Sequence, residues 1–122
     1  MSQHRILVPM DFTPVSDIAL EHAVAVGKAF ASEIMLLHII SSKKEMTDAR
    51  LRMQAWQEKA TKEYPHEVRT AVRIGSIFED IDDVAVEQDA NLVIMGTHGI
   101  RGMQFLTGGR ALRIVTNCST PF

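Results

Sequence analysis

Glycine is concentrated in one segment, which is the part of this sequence best suited to chemistry. Five of the seven glycines lie within residues 96–109, namely Gly96, Gly99, Gly102, Gly108 and Gly109. Glycine tolerates positive φ and lets backbone N–H groups approach an anion closely. A helix that begins near Gly108 would add oriented amides and the positive end of its dipole. The segment therefore predicts a phosphate cradle, and a plain glycine-rich connector is the alternative.

The glycine segment matches neither common phosphate motif. It lacks the Lys-Ser/Thr ending of a Walker A loop, and it follows the fourth apolar run of the chain, not the first strand-to-helix turn. Arg101 and Arg110 can supply charge-assisted bonds to phosphate in its place. Arg110 and Arg113 open the last predicted helix, where positive charge opposes the helix dipole. Either a bound anion or solvent would relieve that conflict.

His98 lies between Gly96 and Gly99, within reach of a phosphate that the segment would bind. No metal ligand or nucleophile stands at motif spacing from it. A catalytic histidine needs such partners. We therefore predict no catalytic residue and no metal site.

Asp11 directly follows the first apolar run, 5–10. In an open parallel sheet, ligands bind beyond the carboxyl ends of the strands. Asp11 would then stand at the ligand edge. The same residue can instead cap the next helix or its turn, beside Thr13.

Four apolar runs predict the strands that would position these residues. They cover residues 5–10, 33–40, 68–74 and 91–95. Continuous apolar runs of this length suit strands that are covered on both faces of a parallel sheet. His38, inside the second run, is accordingly expected to be a core or edge histidine with satisfied hydrogen bonds.

Helical periods separate the apolar runs. Thr13 is an N-cap candidate, with Pro14 at the first helical position. The predicted helices begin at Thr13-Pro14, cover 46–60, follow a cap at Ser76, and cover 111–118. The alternation predicts a three-layer α/β sandwich, with an open, mostly parallel, doubly wound sheet of four to five strands flanked by about four helices.

Two polar segments are expected to face solvent. Residues 41–45 form a short polar loop in this interpretation. The acidic residues of the third helix are predicted to form a solvated face that also favours the helix N-terminus. They are Glu79, Asp80, Asp82 and Asp83.

Length and composition restrict the class of protein. The 122 residues suit a single domain, 1–122, and 46% of them are apolar. A net charge of -2 argues against a broad nucleic-acid or anionic-membrane surface. The single Cys118 excludes an internal disulfide framework and a cysteine-rich zinc site. No apolar stretch reaches about 18 residues, and no signal-peptide pattern is present, so we expect a cytoplasmic protein with no membrane or nucleic-acid partner.

Three segments together resemble the universal stress proteins. They are Ile6 to Thr13, Leu36 to Ile40 and, most strongly, Ile94 to Gly99. The resemblance covers essentially the whole chain and implies an α/β sandwich related to the adenine-nucleotide α-hydrolase group. Many members of the family bind ATP or AMP, and many form homodimers. It therefore implies a stress-response protein that binds AMP, or ATP with Mg²⁺, as a regulatory ligand, with at most weak ATP hydrolysis.

The resemblance also implies which residues would bind the nucleotide. The aspartate that matches Asp11 contacts the adenosine part in nucleotide-binding relatives, and Pro9, Met10 and Ile39 would form an apolar slot for adenine. The full implied set is Pro9, Met10, Asp11, Ile39, Met95, Gly96, His98, Gly99, Arg101, Gly108, Gly109 and Arg110.

The sequence departs from the family's phosphate motif at its end. Nucleotide-binding members carry Gly, two residues, Gly, nine residues, then Gly followed by Ser or Thr. Gly96 and Gly99 match the opening pair. The third glycine is Gly109, followed by Arg110, or, in a loop one residue shorter that keeps the helix register, Gly108 followed by Gly109. Both alignments lack the hydroxyl, so the alternative function is a dimeric interaction or regulatory module without nucleotide.

The end of the chain also differs from the family. The family has a fifth strand after the last helix, whereas this chain stops at Pro121-Phe122. Without that strand, the fourth apolar run could become an open edge, which is an association hazard. We expect the fifth strand to be missing from this chain or replaced by a partner's strand.

Overall fold

The apolar runs form a parallel sheet in the computed structural model, which describes residues 4–12, 14–75 and 77–95. The strands are β1 (Arg5–Pro9), β2 (Glu33–Ile40), β3 (Val68–Ile74) and β4 (Leu92–Val93). Within the described residues their order is β3-β2-β1-β4. β1 pairs in parallel with β2 and β4, and β2 pairs in parallel with β3. The predicted fold class is therefore confirmed.

The strand bounds agree with the apolar runs except at the end of β1 and at both ends of β4. The predicted second and third strands coincide with β2 and β3. β1 ends at Pro9, one residue early, although the Met10 amide still donates to the Leu37 carbonyl at 2.8 Å. β4 has only two residues, while the Ile94 amide extends its ladder with a 3.0 Å bond to the Leu7 carbonyl. The predicted fourth helix and the expectation about a fifth strand lie outside the described residues.

Three helices connect the described strands. They are α1 (Pro14–Phe30), α2 (Met46–Glu63) and α3 (Ile77–Glu87). The polar loop predicted for residues 41–45 is wrong in part, because Lys43–Glu45 form one turn of 3₁₀ helix. The Glu45 carboxylate accepts the Ser41 and Ser42 amides, each at 3.1 Å, and these bonds tighten the turn.

The strands divide their side chains between two apolar layers. On one face, Ile6, Val8 and Leu36 pack with buried residues of α1 and α2. On the other, Leu7 and Leu37 pack with buried residues of α3. Successive residues of a strand point to opposite faces, so β1 is covered on both sides. This arrangement accounts for its continuous apolar run.

The predicted solvated acidic face of α3 is wrong at Asp80, whose side chain is only 15% exposed. Its Oδ1 lies 3.2 Å from Arg73 Nε, and Arg73 Nη1 lies 2.8 Å from Glu87 Oε2. Hydrogen bonding to Arg73 also lowers the pKa of Glu87. The absence of a side chain at Gly75 makes room for Asp80, because a Cβ there would come within 2.0 Å of Asp80 Oδ2. The helix therefore docks on the end of β3 through an ion pair.

A buried ionic cluster joins the amino ends of three strands. The Glu33 side chain is only 1% exposed, with Oε2 2.5 Å from Arg5 Nε and Oε1 2.8 Å from Arg69 Nε. The Arg5 guanidinium also donates to the Gln88 carbonyl. A buried charge needs such partners, because leaving water costs several kcal/mol per ion. In the sequence, Glu33 stands only as the first residue of an apolar run, and no local pattern indicates its ion pairs.

Gly27 lets α1 approach the end of α2 closely. The Tyr64 hydroxyl passes over it and donates to the Ser32 carbonyl, and burial raises the pKa of this hydroxyl. A Cβ at Gly27 would come within 2.2 Å of the Tyr64 oxygen. A residue with a side chain therefore cannot occupy this helical position without displacing Tyr64.

We predict that Gly27→Ala lowers the free energy of unfolding by about 1–3 kcal/mol, because it overpacks this contact. Helix propensity alone would give the opposite sign, a gain of up to about 1 kcal/mol. Urea unfolding measures the change. In a Tyr64→Phe background, which removes the hydroxyl, the same substitution should cost less.

Lys28→Ala, on the exposed face of the same helix, is the matched control and should change stability by less than about 0.5 kcal/mol. A stabilised Gly27→Ala protein would contradict the close contact.

Candidate functional site

The sheet topology places a reversal of strand order beside β1. The chain leaves β1 for β2 on one side and later crosses from β3 to β4 on the other side. The carboxyl ends of β1 and β4 therefore flank the point where the strand order reverses. In open α/β sheets, ligands bind at this switch point, outside the carboxyl ends of the strands. Asp11 follows β1 there.

The Asp11 turn is tied to the first turn of α1. The Asp11 amide donates to Ser16 Oγ at 3.0 Å, and the Ser16 hydroxyl donates to Asp11 Oδ1, also at 3.0 Å. Ser16 is 1% exposed. These reciprocal bonds join the Asp11 turn to α1 and hold the carboxylate at the edge of the sheet.

The structure separates the residues predicted to form an apolar slot. Ile39 packs against the cluster on the α3 face, as does Met95 near the end of β4. Pro9 shares that face by strand alternation with Leu7. Met10 instead lies in the opposite cluster, between the sheet and α1 with α2, and is only 4% exposed. The half-buried Ile39 and Met95 thus lie on the α3 side of this edge together with the buried Pro9, and Met10 is a core residue.

An aromatic group beside the Asp11 turn was not foreseen. The rings of Phe12 and His38 have centroids 4.3 Å apart, and the Trp56 ring lies 6.3 Å from that of Phe12. The Arg52 guanidinium lies 6.0 Å from the Phe12 centroid. Phe12 has a φ of 67°, a left-handed conformation that is unusual for a bulky residue. No periodicity signals this group, since its members come from a turn, a strand and a helix.

His38 makes the hydrogen bond that the sequence analysis expected of it. Its Nδ1 lies 2.7 Å from the Met10 carbonyl oxygen, directly before Asp11. Only a protonated Nδ1 can donate to a carbonyl, so the bond selects that tautomer of the ring. The expectation of a satisfied histidine is therefore confirmed, and its partner lies in the candidate site.

Glu45 closes the connection that follows β2 at the same edge. Its carboxylate accepts the Ser41 hydroxyl at 2.9 Å and also the Ser41 and Ser42 amides. These hydrogen bonds, the Ser41 hydroxyl first, lower the pKa of Glu45. The exposed carboxylate thus stabilises this turn through local hydrogen bonds.

The remaining predicted site residues lie outside the described part of the chain. They are Gly96, His98, Gly99, Arg101, Gly108, Gly109 and Arg110. Among residues 4–12, 14–75 and 77–95, no group of three or more His, Cys, Asp or Glu side chains could hold a metal ion. In that same part of the chain, no helix is long and apolar enough to cross a membrane.

A parallel sheet with this strand order defines a doubly wound α/β protein, and the carboxylate held at its switch point marks a candidate site. Its family can be stated more narrowly. The model of the universal stress protein family matches residues 3–122, so the chain belongs to that family.

Individual relatives support the same family and fold. The chain is 24% identical over 147 residues to the universal stress protein MJ0577 of Methanocaldococcus jannaschii, covering 96% of this chain and 91% of that one. It is similar, with a TM-score of 0.78 and 19% identity, to the universal stress protein of Archaeoglobus fulgidus in complex with dAMP, covering 99% and 96% of the two chains. A universal stress protein in complex with cAMP gives a TM-score of 0.79 at 15% identity, covering 99% and 94%.

We predict that Ser16→Ala lowers the free energy of unfolding by about 1–2 kcal/mol, because it removes both hydrogen bonds to Asp11 in a buried position. Thermal or urea unfolding measures the loss. Ser41→Ala is the matched control, since its exposed hydroxyl also bonds a carboxylate. An equal effect of the two substitutions would show that the Asp11 turn does not depend on Ser16.

Proposed function

We propose that this protein binds an adenine nucleotide, AMP or ATP, at the carboxyl edge of β1 and β4 as a regulatory ligand in a stress response. The observation that carries the proposal is the Asp11 carboxylate, held by Ser16 at the switch point of the sheet. Relatives solved with dAMP and with cAMP support an adenine nucleotide as the ligand class.

Asp11 would recognise the adenosine part of the ligand. A carboxylate accepts hydrogen bonds from ribose hydroxyls or from an amino group, and charge-assisted bonds of this kind are stronger than neutral ones. Pro9, Ile39 and Met95, on the α3 face of the sheet, would contact the base through apolar surface. The dAMP and cAMP of the relatives share adenine, a sugar ring and a phosphate, so the nucleoside monophosphate is the part proposed for recognition.

The glycine segment would bind the phosphates. In this proposal the backbone amides of Gly96, Gly99, Gly108 and Gly109 surround the phosphate, and His98, Arg101 and Arg110 supply polar or charged contacts. Because no Ser or Thr follows the third motif glycine, a triphosphate with Mg²⁺ would lose one hydroxyl donor. Compared with family members that carry the hydroxyl, this protein is therefore expected to bind ATP more weakly. Its affinity for AMP should be reduced less.

The missing hydroxyl favours a second candidate function. In it, the protein is a homodimeric interaction or regulatory module of the cytoplasm that binds no nucleotide. Homodimer formation is compatible with both candidates. Mass spectrometry of small molecules that co-purify with the protein separates them, because tightly bound nucleotide is expected only under the first.

We predict that Asp11→Asn weakens AMP binding about tenfold, which corresponds to about 1.4 kcal/mol. The substitution keeps an oxygen that can accept the Ser16 hydroxyl but removes the negative charge. Calorimetry gives the affinity, and the emission of Trp56, the single tryptophan, reports the change beside the site.

Asp17→Asn is the matched control, because this carboxylate lies one residue after Ser16 and pairs with Lys59 at 3.0 Å. It should bind AMP like the unmodified protein. Absence of heat and of any melting shift at millimolar AMP and ATP would refute nucleotide binding. An unchanged affinity of Asp11→Asn would refute the role of Asp11 alone.

A further inference from the structure

The imidazole of His38 contacts the residues on both sides of Asp11. Its Nδ1 donates to the Met10 carbonyl at 2.7 Å, and its ring packs against the Phe12 ring with centroids 4.3 Å apart. Met10 itself is anchored on its other side, because its amide donates to the Leu37 carbonyl at 2.8 Å. The peptide units around Asp11 are therefore held from β2.

The turn needs such support. Phe12 lies in the left-handed region, with φ at 67°, and a non-glycine residue keeps this conformation only where its surroundings enforce it. Ser16 fixes the Asp11 amide and carboxylate, but its bonds do not reach Phe12. In the described part of the chain, the Phe12 ring meets the Trp56 ring and the Arg52 guanidinium as well as the His38 ring. The ring at position 38 is thus one contact among several, whereas the Nδ1 bond fixes the backbone carbonyl that precedes Asp11.

We propose that His38 is a positioning residue for the candidate nucleotide site: its Nδ1–H bond to the Met10 carbonyl holds the Asp11–Phe12 turn in the conformation that binds the ligand. His38 need not touch the nucleotide in this role. The inference rests on the proposed function for its effect on affinity, whereas the effect on the turn belongs to the free protein.

Two substitutions separate the contribution of the N–H donor from that of the aromatic ring. His38→Asn keeps an N–H donor on the atom bonded to Cγ, as in Nδ1 of histidine, but removes the ring. His38→Phe keeps a ring that can pack on Phe12 but removes the donor. His22→Phe, at an exposed position of α1, is the matched control.

The first measurement uses the free protein and requires no ligand. A positive φ at Phe12 brings its amide proton close to its own Hα, which gives a strong intraresidue nuclear Overhauser effect. We expect this signal in the unmodified protein, His22→Phe and His38→Asn, and a marked loss of it in His38→Phe. An undiminished signal in His38→Phe would overturn the proposal whatever the protein binds.

The second measurement is AMP affinity by calorimetry, at a temperature where unfolding experiments show each variant to be folded. His38→Phe should bind AMP about tenfold more weakly, and His38→Asn within about threefold of the unmodified protein. Equal losses in both variants would overturn the role of the hydrogen bond, because a merely structural histidine is not rescued by asparagine. If the unmodified protein binds no AMP while the Phe12 signal responds as expected, nucleotide binding fails and the positioning of the turn stands.

Discussion

The buried carboxylate of Glu33 fixes the alignment of the three strands on which the candidate site depends. Arg5, Glu33 and Arg69 belong to β1, β2 and β3, and their ion pairs join all three strands at the amino end of the sheet. A slip of one residue would turn every side chain of a strand to the opposite face, and it would also leave a buried charge without its partner. Charge and apolar pattern therefore select the same register.

The same register decides which residues of β1 and β2 lie side by side at the carboxyl ends of the strands. With Arg5 opposite Glu33, Pro9 falls opposite Leu37, and the next pair along the strands is Met10 and His38. The imidazole consequently reaches the carbonyl that precedes Asp11. The ionic cluster and the candidate site lie at opposite edges of the sheet, and the rigid pairing of β1 with β2 connects them. Small changes of alignment at one edge cannot leave the other unchanged.

The sequence predicted the framework of this arrangement, because its signal is local. β2 and β3 coincide with apolar runs, and β1 is continuous in apolar character since both of its faces are covered. The rule for parallel sheets also predicted Asp11 at the carboxyl edge of the sheet, where it lies. Where tertiary contacts decide, local pattern was insufficient: Met10 was assigned to an adenine slot, yet its side chain lies in the opposite apolar layer.

The polar contacts could not be predicted either, because they join residues that are far apart in the sequence. Glu33 and Arg5 are 28 residues apart, as are His38 and Met10, and Tyr64 reaches Ser32 across 32 residues. Periodicity and capping preferences concern neighbours within one or two helical turns, so they carry no information about such pairs. Asp80 illustrates this limit of local pattern. Its place in an acidic run indicated exposure to solvent, but its carboxylate pairs with Arg73 and fits into the space that Gly75 leaves without a side chain.

The bonds that hold Asp11 in the free protein also suit the role proposed for it. Ser16 satisfies the Asp11 amide and one carboxylate oxygen, so the turn is formed before any ligand arrives. A ligand that meets a formed turn does not have to order it, and the conformational entropy that binding otherwise costs is reduced. The left-handed Phe12 also contacts side chains of β2 and α2. Folding thus carries the cost of the unusual conformation, which is compatible with the recognition role proposed for Asp11.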